Sequence, residues 1–293
     1  MPVLKKSFLD LPNKRSSHIT PTPSGGGISF VIVATLSSLL YQNQIILLSL
    51  PLAIVGFYDD KKGIKPIYRF IIQILTCLSL IFISDLFWEI ASKNNIYLIG
   101  LLFIILILSS GIINFVNFMD GTDGLVAACL LISFIVLVLN GEIVLIPFVG
   151  ALLSFLVLNW SPAKIFMGDV GSTYLGALLV GFTLKFQSIN EAVMFFMISF
   201  PLFFDTSTCV IRRLISKQPI FNPHKLHLYQ RLHQAGWSHS KIALFYVFYC
   251  LLIAFCYMIN NQNLMLFSII IFVINAIYLD KNAAIKFNQL LRK

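Results

Sequence analysis

The chain has 293 residues, 58% of them hydrophobic and 11% charged, with a mean hydropathy of +0.88. Soluble domains carry about 25% charged residues, so a water-soluble globule is excluded, and the long apolar runs lack the two-residue alternation of a membrane barrel. A net charge of +9 suits anionic substrates and anionic lipid, and nucleic acid is not expected among the partners.

In chain order, the first 25 residues are polar. The stretch LDLPNKRSSHITPTPSGGG, from Leu9 to Gly27, carries Lys14, Arg15 and His18 as candidate substrate-binding groups. Its triple glycine is no Walker loop, because no Gly-Lys-Ser/Thr follows; it reads as a flexible lead into the first span. About ten apolar runs come next, at 26–41, 44–58, 67–84, 96–115, 124–139, 142–159, 171–185, 191–210, 241–259 and 264–279. Each is predicted to be a transmembrane helix, which satisfies its own backbone hydrogen bonds in lipid. The longer connections are 1–25, 163–170 and 211–240.

An even number of spans puts both termini on one side. Of the 21 Lys and Arg residues, all but Lys93 and Lys185 fall on that side, so the positive-inside rule makes it the cytoplasm. The expectation is a single all-α integral membrane domain over residues 1–293. Cys77, Cys129, Cys209, Cys250 and Cys256 lie inside apolar runs and read as small buried hydrophobes. The outer acids Asp85, Glu89, Glu142 and Glu191 read as solubilising charge.

Four separated stretches bring unusual polar residues to the cytoplasmic face. GFYDDKKG ends the second run with Asp59 and Asp60; a solvated helix end beside lysines is the plain alternative. In NFVNFMDGTDGL, Asn114, Asn117 and Asp120 step by three and share a helix face, and Asp123 sits between Gly121 and Gly124. Their oxygens suit a hard divalent cation, Mg2+ or Mn2+ in its place. Helix capping needs one such residue, not the set. An EF-hand is rejected, since Leu131 stands where that loop requires a glutamate.

FMGDVGSTYLG puts Asp169 at a helix start, as an N-cap or as a metal grip with backbone N–H groups facing phosphate. In NPHKLHLYQRLHQAGW, His224, Lys225, His227, Arg231 and His233 cluster. No Cys or further ligand set supports zinc there, and cationic donors to phosphate fit better. Asp205, inside the eighth run, is a costly acid; a buried pair with Arg212 or Arg213 explains it as well as a functional role does. Together these groups are the kit for Mg2+-assisted movement of a phosphorylated group.

The four motifs, in this order on a multi-span chain, closely resemble those of the polyprenyl-phosphate N-acetylhexosamine-1-phosphate transferases. That superfamily includes the phospho-N-acetylmuramoyl-pentapeptide transferases, and the match runs from about Asp10 to Trp237. LDLPNKRSSHITPTPSGGG and HLYQRL look most like the O-antigen-initiating branch, and the histidine run of the muramoyl-pentapeptide enzymes is missing. The resemblance implies transfer of a sugar 1-phosphate from a UDP-N-acetylhexosamine to undecaprenyl phosphate, releasing UMP, at the cytoplasmic face of a bacterial inner membrane. It implies Asp59 and Asp60 as the acidic pair at the lipid phosphate, and Asn117 and Asp169 on Mg2+. It gives Asp120 and Asp123 a supporting catalytic role, and sets His224 and His227 at the donor. Membrane lipids would surround the chain, and a homodimer is compatible. Relatives usually carry a further span ahead of DLPN, so a late start or a missing first span is expected. A transporter, the rival from another class, would place its acids near the bilayer midplane.

Overall fold

The structure is a computed structural model that describes residues 9–10, 21–93, 98–219 and 224–290. It is a helical bundle with one small antiparallel ribbon, in which β1 (Leu9–Asp10) pairs with β2 (Thr22–Pro23). The helices are α1 (Ile28–Tyr41), α2 (Gln44–Lys62), α3 (Pro66–Phe82), α4 (Asp85–Lys93), α5 (Leu98–Met119), α6 (Leu125–Leu139) and α7 (Ile146–Asn159). They continue with α8 (Asp169–Leu184), α9 (Ile189–Met197), α10 (Phe200–Ile215), α11 (Leu228–Gln234), α12 (His239–Met258), α13 (Gln262–Asn282) and α14 (Phe287–Leu290).

Over the described residues, each predicted apolar run is mainly helical. Among the described residues, three helices, α5, α12 and α13, are each long and apolar enough to cross a membrane. Counting the bent pairs α3 with α4 and α9 with α10 as broken spans gives up to five. One run differs from the expectation, and another bends just past its end. The eighth, predicted as one helix over 191–210, bends by 84° between α9 and α10. Pro201 opens α10 there, and a proline cannot continue the ladder of the preceding helix. The third run likewise turns by 64° into α4, where Ser84 Oγ accepts from Phe87 N at 3.0 Å. All five cysteines are buried and free, as expected of small hydrophobes.

Large apolar side chains face outward along most helices, among them Leu40, Phe103, Val157 and Phe255. A bilayer is the solvent that accepts such a surface. The centre of the bundle is α8, buried over nearly its whole length and packed on α2 and α5. Gly56 makes that packing close: a Cβ there would lie 2.6 Å from the backbone of Asp169. The two helices therefore meet backbone to backbone, which sets Asp59 and Asp60 beside the start of α8.

At the opposite end of the bundle, Lys185 pairs with Glu142. Glu142 therefore has a partner, where sequence reading gave it only a solubilising role. The N-terminal glycines are not a flexible lead either. Gly26 N and Gly27 N donate to Phe166 O and Met167 O at 2.9 and 3.0 Å, and Phe166 N donates to Pro23 O at 2.8 Å.

Candidate active site

The site forms where α2, α3, α5 and α8 end or begin together. α2 stops at Gly63, whose φ of +64° lets the chain turn back, and Pro66 starts α3. The reversal faces Arg69, in the first turns of α3, toward Asp59. The Arg69 guanidinium bonds Asp59 Oδ2 and, through the same Nη1, Asp169 Oδ2 at 2.6 Å. With the Asn117 amide oriented to satisfy both neighbours, its oxygen accepts from Arg69 Nη2 at 3.0 Å and its nitrogen donates to Asp169 Oδ1 at 3.3 Å. Asp59 Oδ1 also accepts from Ile64 N.

Asp60 does something different. Its oxygens accept from the backbone N–H groups of Asp169 at 2.9 Å and Val170 at 3.2 Å, so it caps α8. Burial, and then the charges of Asp169 and Asp59, push its carboxyl up to about 7. Burial pushes Asp120 well above the usual carboxylate range as well, reinforced by Asp169, Asp60 and Asp123. These acids are crowded, partly dry and short of positive charge.

Asp120 lies one residue past the end of α5, and its N–H donates to Asn117 O at 3.2 Å. The three-residue step thus closes in a tight final turn rather than in a continuing helix. Asn114 is half-buried one turn earlier on α5. Asp123 adds its charge at Asp120 but is held by partners outside this group. Its Oδ2 accepts from Ala163 N, and its Oδ1 lies 3.1 Å from His239 Nδ1. Burial alone would raise Asp123; the hydrogen bond and charge of His239, with Ala163 and Ser161, outweigh it and hold the carboxyl low. Asn159 fixes the same turn, accepting from Gly124 N at 3.0 Å and donating to Ile165 O at 2.9 Å.

The histidine motif docks on this turn through Tyr229, whose hydroxyl donates to Phe118 O at 3.0 Å. His227 stacks on Tyr229, with ring centroids 5.6 Å apart. His224 is pushed down to about 3 by burial, then by His227 and Arg213. It is therefore a neutral ring, where sequence reading wanted a cationic donor. Cys209 brings to His224 and His227 a third possible ligand from outside the histidine motif, all within 4.8 Å. Leu226 N donates to His224 Nδ1 at 3.3 Å, however, so that ring is already in use.

Arg231, expected at substrate phosphate, is buried. It bonds Leu226 O at 3.0 Å, Ile285 O at 2.9 Å and Asp280. Its fork is therefore part of the loop's internal structure. Lys225 is half-buried, and its carbonyl accepts from Gln234. Asp205 pairs with neither Arg212 nor Arg213: it accepts from Leu228 N at 2.7 Å, Tyr229 N at 3.0 Å and Tyr246 Oη at 2.7 Å. Lys14, Arg15 and His18 lie outside the described residues.

Asp59, Asp60, Asn117, Asp120 and Asp169 are thus brought together, with His224, His227 and Asp123 in adjoining layers. The sequence pattern of glycosyl transferase family 4 matches residues 43–187, which hold all of the converging groups. The chain belongs to that family. This family 4 protein is 29% identical over 277 residues to a probable undecaprenyl-phosphate N-acetylglucosaminyl 1-phosphate transferase of Bacillus subtilis, covering 82% of this chain and 74% of the relative. It is 26% identical to the decaprenyl-phosphate N-acetylglucosaminephosphotransferase of Mycobacterium leprae, over 83% and 74% of the two chains. It is 27% identical to a phospho-N-acetylmuramoyl-pentapeptide-transferase of Staphylococcus epidermidis, over 77% and 81%.

Arg69, Asn159 and His239 escaped sequence reading as site residues. In the sequence, Arg69 is one basic residue among many near the helix ends. Asn159, at the end of a long apolar run, was the one visible signal.

Proposed function

We propose that this chain transfers an N-acetylhexosamine 1-phosphate from a UDP-sugar to undecaprenyl phosphate at the cytoplasmic face of a bacterial plasma membrane. A lipid phosphate oxygen forms a bond to the sugar-bearing phosphorus of the donor. The bond from that phosphorus to the bridging oxygen breaks, and UMP leaves with the electron pair. The observation that carries this reading is the convergence of Asp59, Asn117 and Asp169, from three separate motifs, at one end of an apolar bundle. A transporter would hold its acids at mid-depth. The relatives' names agree in a polyprenyl-phosphate sugar-1-phosphate chemistry.

The donor set is hard oxygen, from Asn117, Asp169 and Asp59, which fits Mg2+ better than a soft ion. Crowded acids held toward their neutral forms are further support, because a divalent cation would relieve them. When bound, Mg2+ would screen the donor pyrophosphate from the acceptor phosphate. Asp60 holds the start of α8 and so places Asp169. Arg69 and Asn117 orient the Asp169 carboxylate. Tyr229 joins the histidine loop to the α5 end, and His224, as a neutral ring, and His227 act as hydrogen-bonding groups toward the donor.

The ten-helix topology with cytoplasmic termini belongs to the same proposal, supported by the distribution of Lys and Arg. An O-antigen-type pathway is favoured by LDLPNKRSSHITPTPSGGG and HLYQRL. The peptidoglycan reading keeps some weight because a Streptococcus thermophilus phospho-N-acetylmuramoyl-pentapeptide-transferase is 33% identical over 196 residues. Purified protein with undecaprenyl phosphate and Mg2+ should release UMP from a UDP-N-acetylhexosamine. Release from UDP-N-acetylmuramoyl-pentapeptide alone would move the assignment to peptidoglycan, and release from no UDP-sugar would refute the enzyme reading.

A further inference from the structure

We infer that Arg69 is the built-in counter-cation of this site: its guanidinium holds Asp59, Asp169 and Asn117 together before a divalent cation binds, and the two exchange. The inference rests on the Mg2+ reading above.

One planar fork touches side chains from α2, α5 and α8. Nη1 reaches both Asp59 Oδ2 and Asp169 Oδ2, and Nη2 reaches the Asn117 oxygen at 3.0 Å. These are the oxygens that a hard cation would take. An ordinary surface ion pair joins two partners and contributes little; here one cation gathers groups that otherwise repel. The position is also electrostatically odd. Arg69 sits in the first turns of α3, where the helix dipole disfavours positive charge. The acids opposite make that placement favourable.

Exchange follows from charge and reach. A doubly charged ion among the same oxygens would lie within a few ångströms of the guanidinium, and the two repel strongly at low effective dielectric. Arg69 has a long side chain that is 31% exposed, so it has room to swing away. Without it, the empty carboxylates have no cation between them, and with it a divalent ion must compete for its ligands.

The test is Mn2+ binding to the full chain in detergent, read by electron paramagnetic resonance, for wild type, Arg69→Gln and Arg69→Gln/Asp169→Asn. Arg69→Gln should bind Mn2+ at least about tenfold more tightly, and the added Asp169→Asn should remove that binding. Melting in EDTA supplies a second readout. Arg69→Gln should melt lower than wild type without cation and recover with Mn2+, whereas wild type should change little. Equal or weaker Mn2+ affinity in a folded Arg69→Gln protein overturns the exchange. Such a result leaves the transferase reading standing, because UMP release by wild type decides that separately. Absence of Mn2+ binding in both proteins overturns the exchange and the metal assignment together.

Discussion

Asp60 holds the helix that begins at Asp169. The two residues are 109 positions apart, yet the Asp60 carboxylate accepts the Asp169 N–H at 2.9 Å. It takes the next N–H as well, so both of its oxygens serve the helix end. An acid that sequence reading assigns to chemistry is here the clamp that sets the direction of another acid.

Gly168 makes the clamp possible. Its φ is +75°, and a Cβ would lie 2.4 Å from Asp60 Oδ2. Gly168→Ala should therefore strain the backbone by about 1–3 kcal/mol and push Asp60 off the helix. UMP release should fall by roughly a hundredfold, as misplacement by an ångström commonly costs. Gly150→Ala, at an open position on α7, is the control and should leave release unchanged. Equal effects of the two substitutions would sink this account.

The raised pKa of Asp60 sets a pH dependence. Its carboxyl moves from 3.8 to about 7 in the fold, so between these values the folded chain holds a proton that the unfolded chain has lost. The sign is then fixed: in EDTA, apparent melting temperature should decline as pH rises from about 4 through about 7. Asp60→Asn, which keeps one acceptor for the α8 N–H groups, should flatten that decline. Melts of both proteins across this range check it, and an identical slope in Asp60→Asn would place the titration elsewhere.

Asp169→Asn changes charge but hardly changes shape. The Asn117 and Arg69 contacts lose a carboxylate partner, and the helix start keeps its Asp60 cap. Release of UMP should fall at least about a thousandfold, since several kcal/mol of transition-state charge stabilisation go with the carboxylate. Circular dichroism should be unchanged. Near-normal release would remove Asp169 from the reaction.

The helices were legible because lipid demands long apolar runs, and the acids because polar groups stand out between such runs. The two bends were less visible, since hydropathy averages across Pro201 and Ser84 without registering direction. Contact partners were less visible still. Asp123 and His239 meet from separate elements at 3.1 Å, and nothing in their local sequence announces the pairing. Arg231 and Arg69 show the same gap in opposite senses. Both are cations near the histidine or acidic motifs, but the fold turns Arg231 inward to Asp280 and Arg69 onto Asp59. Charge can be counted from sequence, whereas the direction of a long side chain depends on packing between distant elements.

Asp205 is where that packing has the largest consequence. It is buried in α10 and accepts from Leu228 N, Tyr229 N and Tyr246 Oη. Through Tyr229 it supports the docking of the histidine loop on Phe118. Asp205→Ala leaves three buried donors without a partner, each at a cost of about 1–3 kcal/mol, so the loop should detach before the bundle melts. Asp205→Asn retains one acceptor but turns an amide N–H toward a donor, so an intermediate loss is expected. Limited trypsin digestion reads this directly, because Lys217 and Lys225 flank the segment ahead of α11. Faster cleavage there, with the apolar helices intact, is the expected result for Asp205→Ala. Cleavage at the wild-type rate would mean that the loop is held by Arg231 and Asp280 instead.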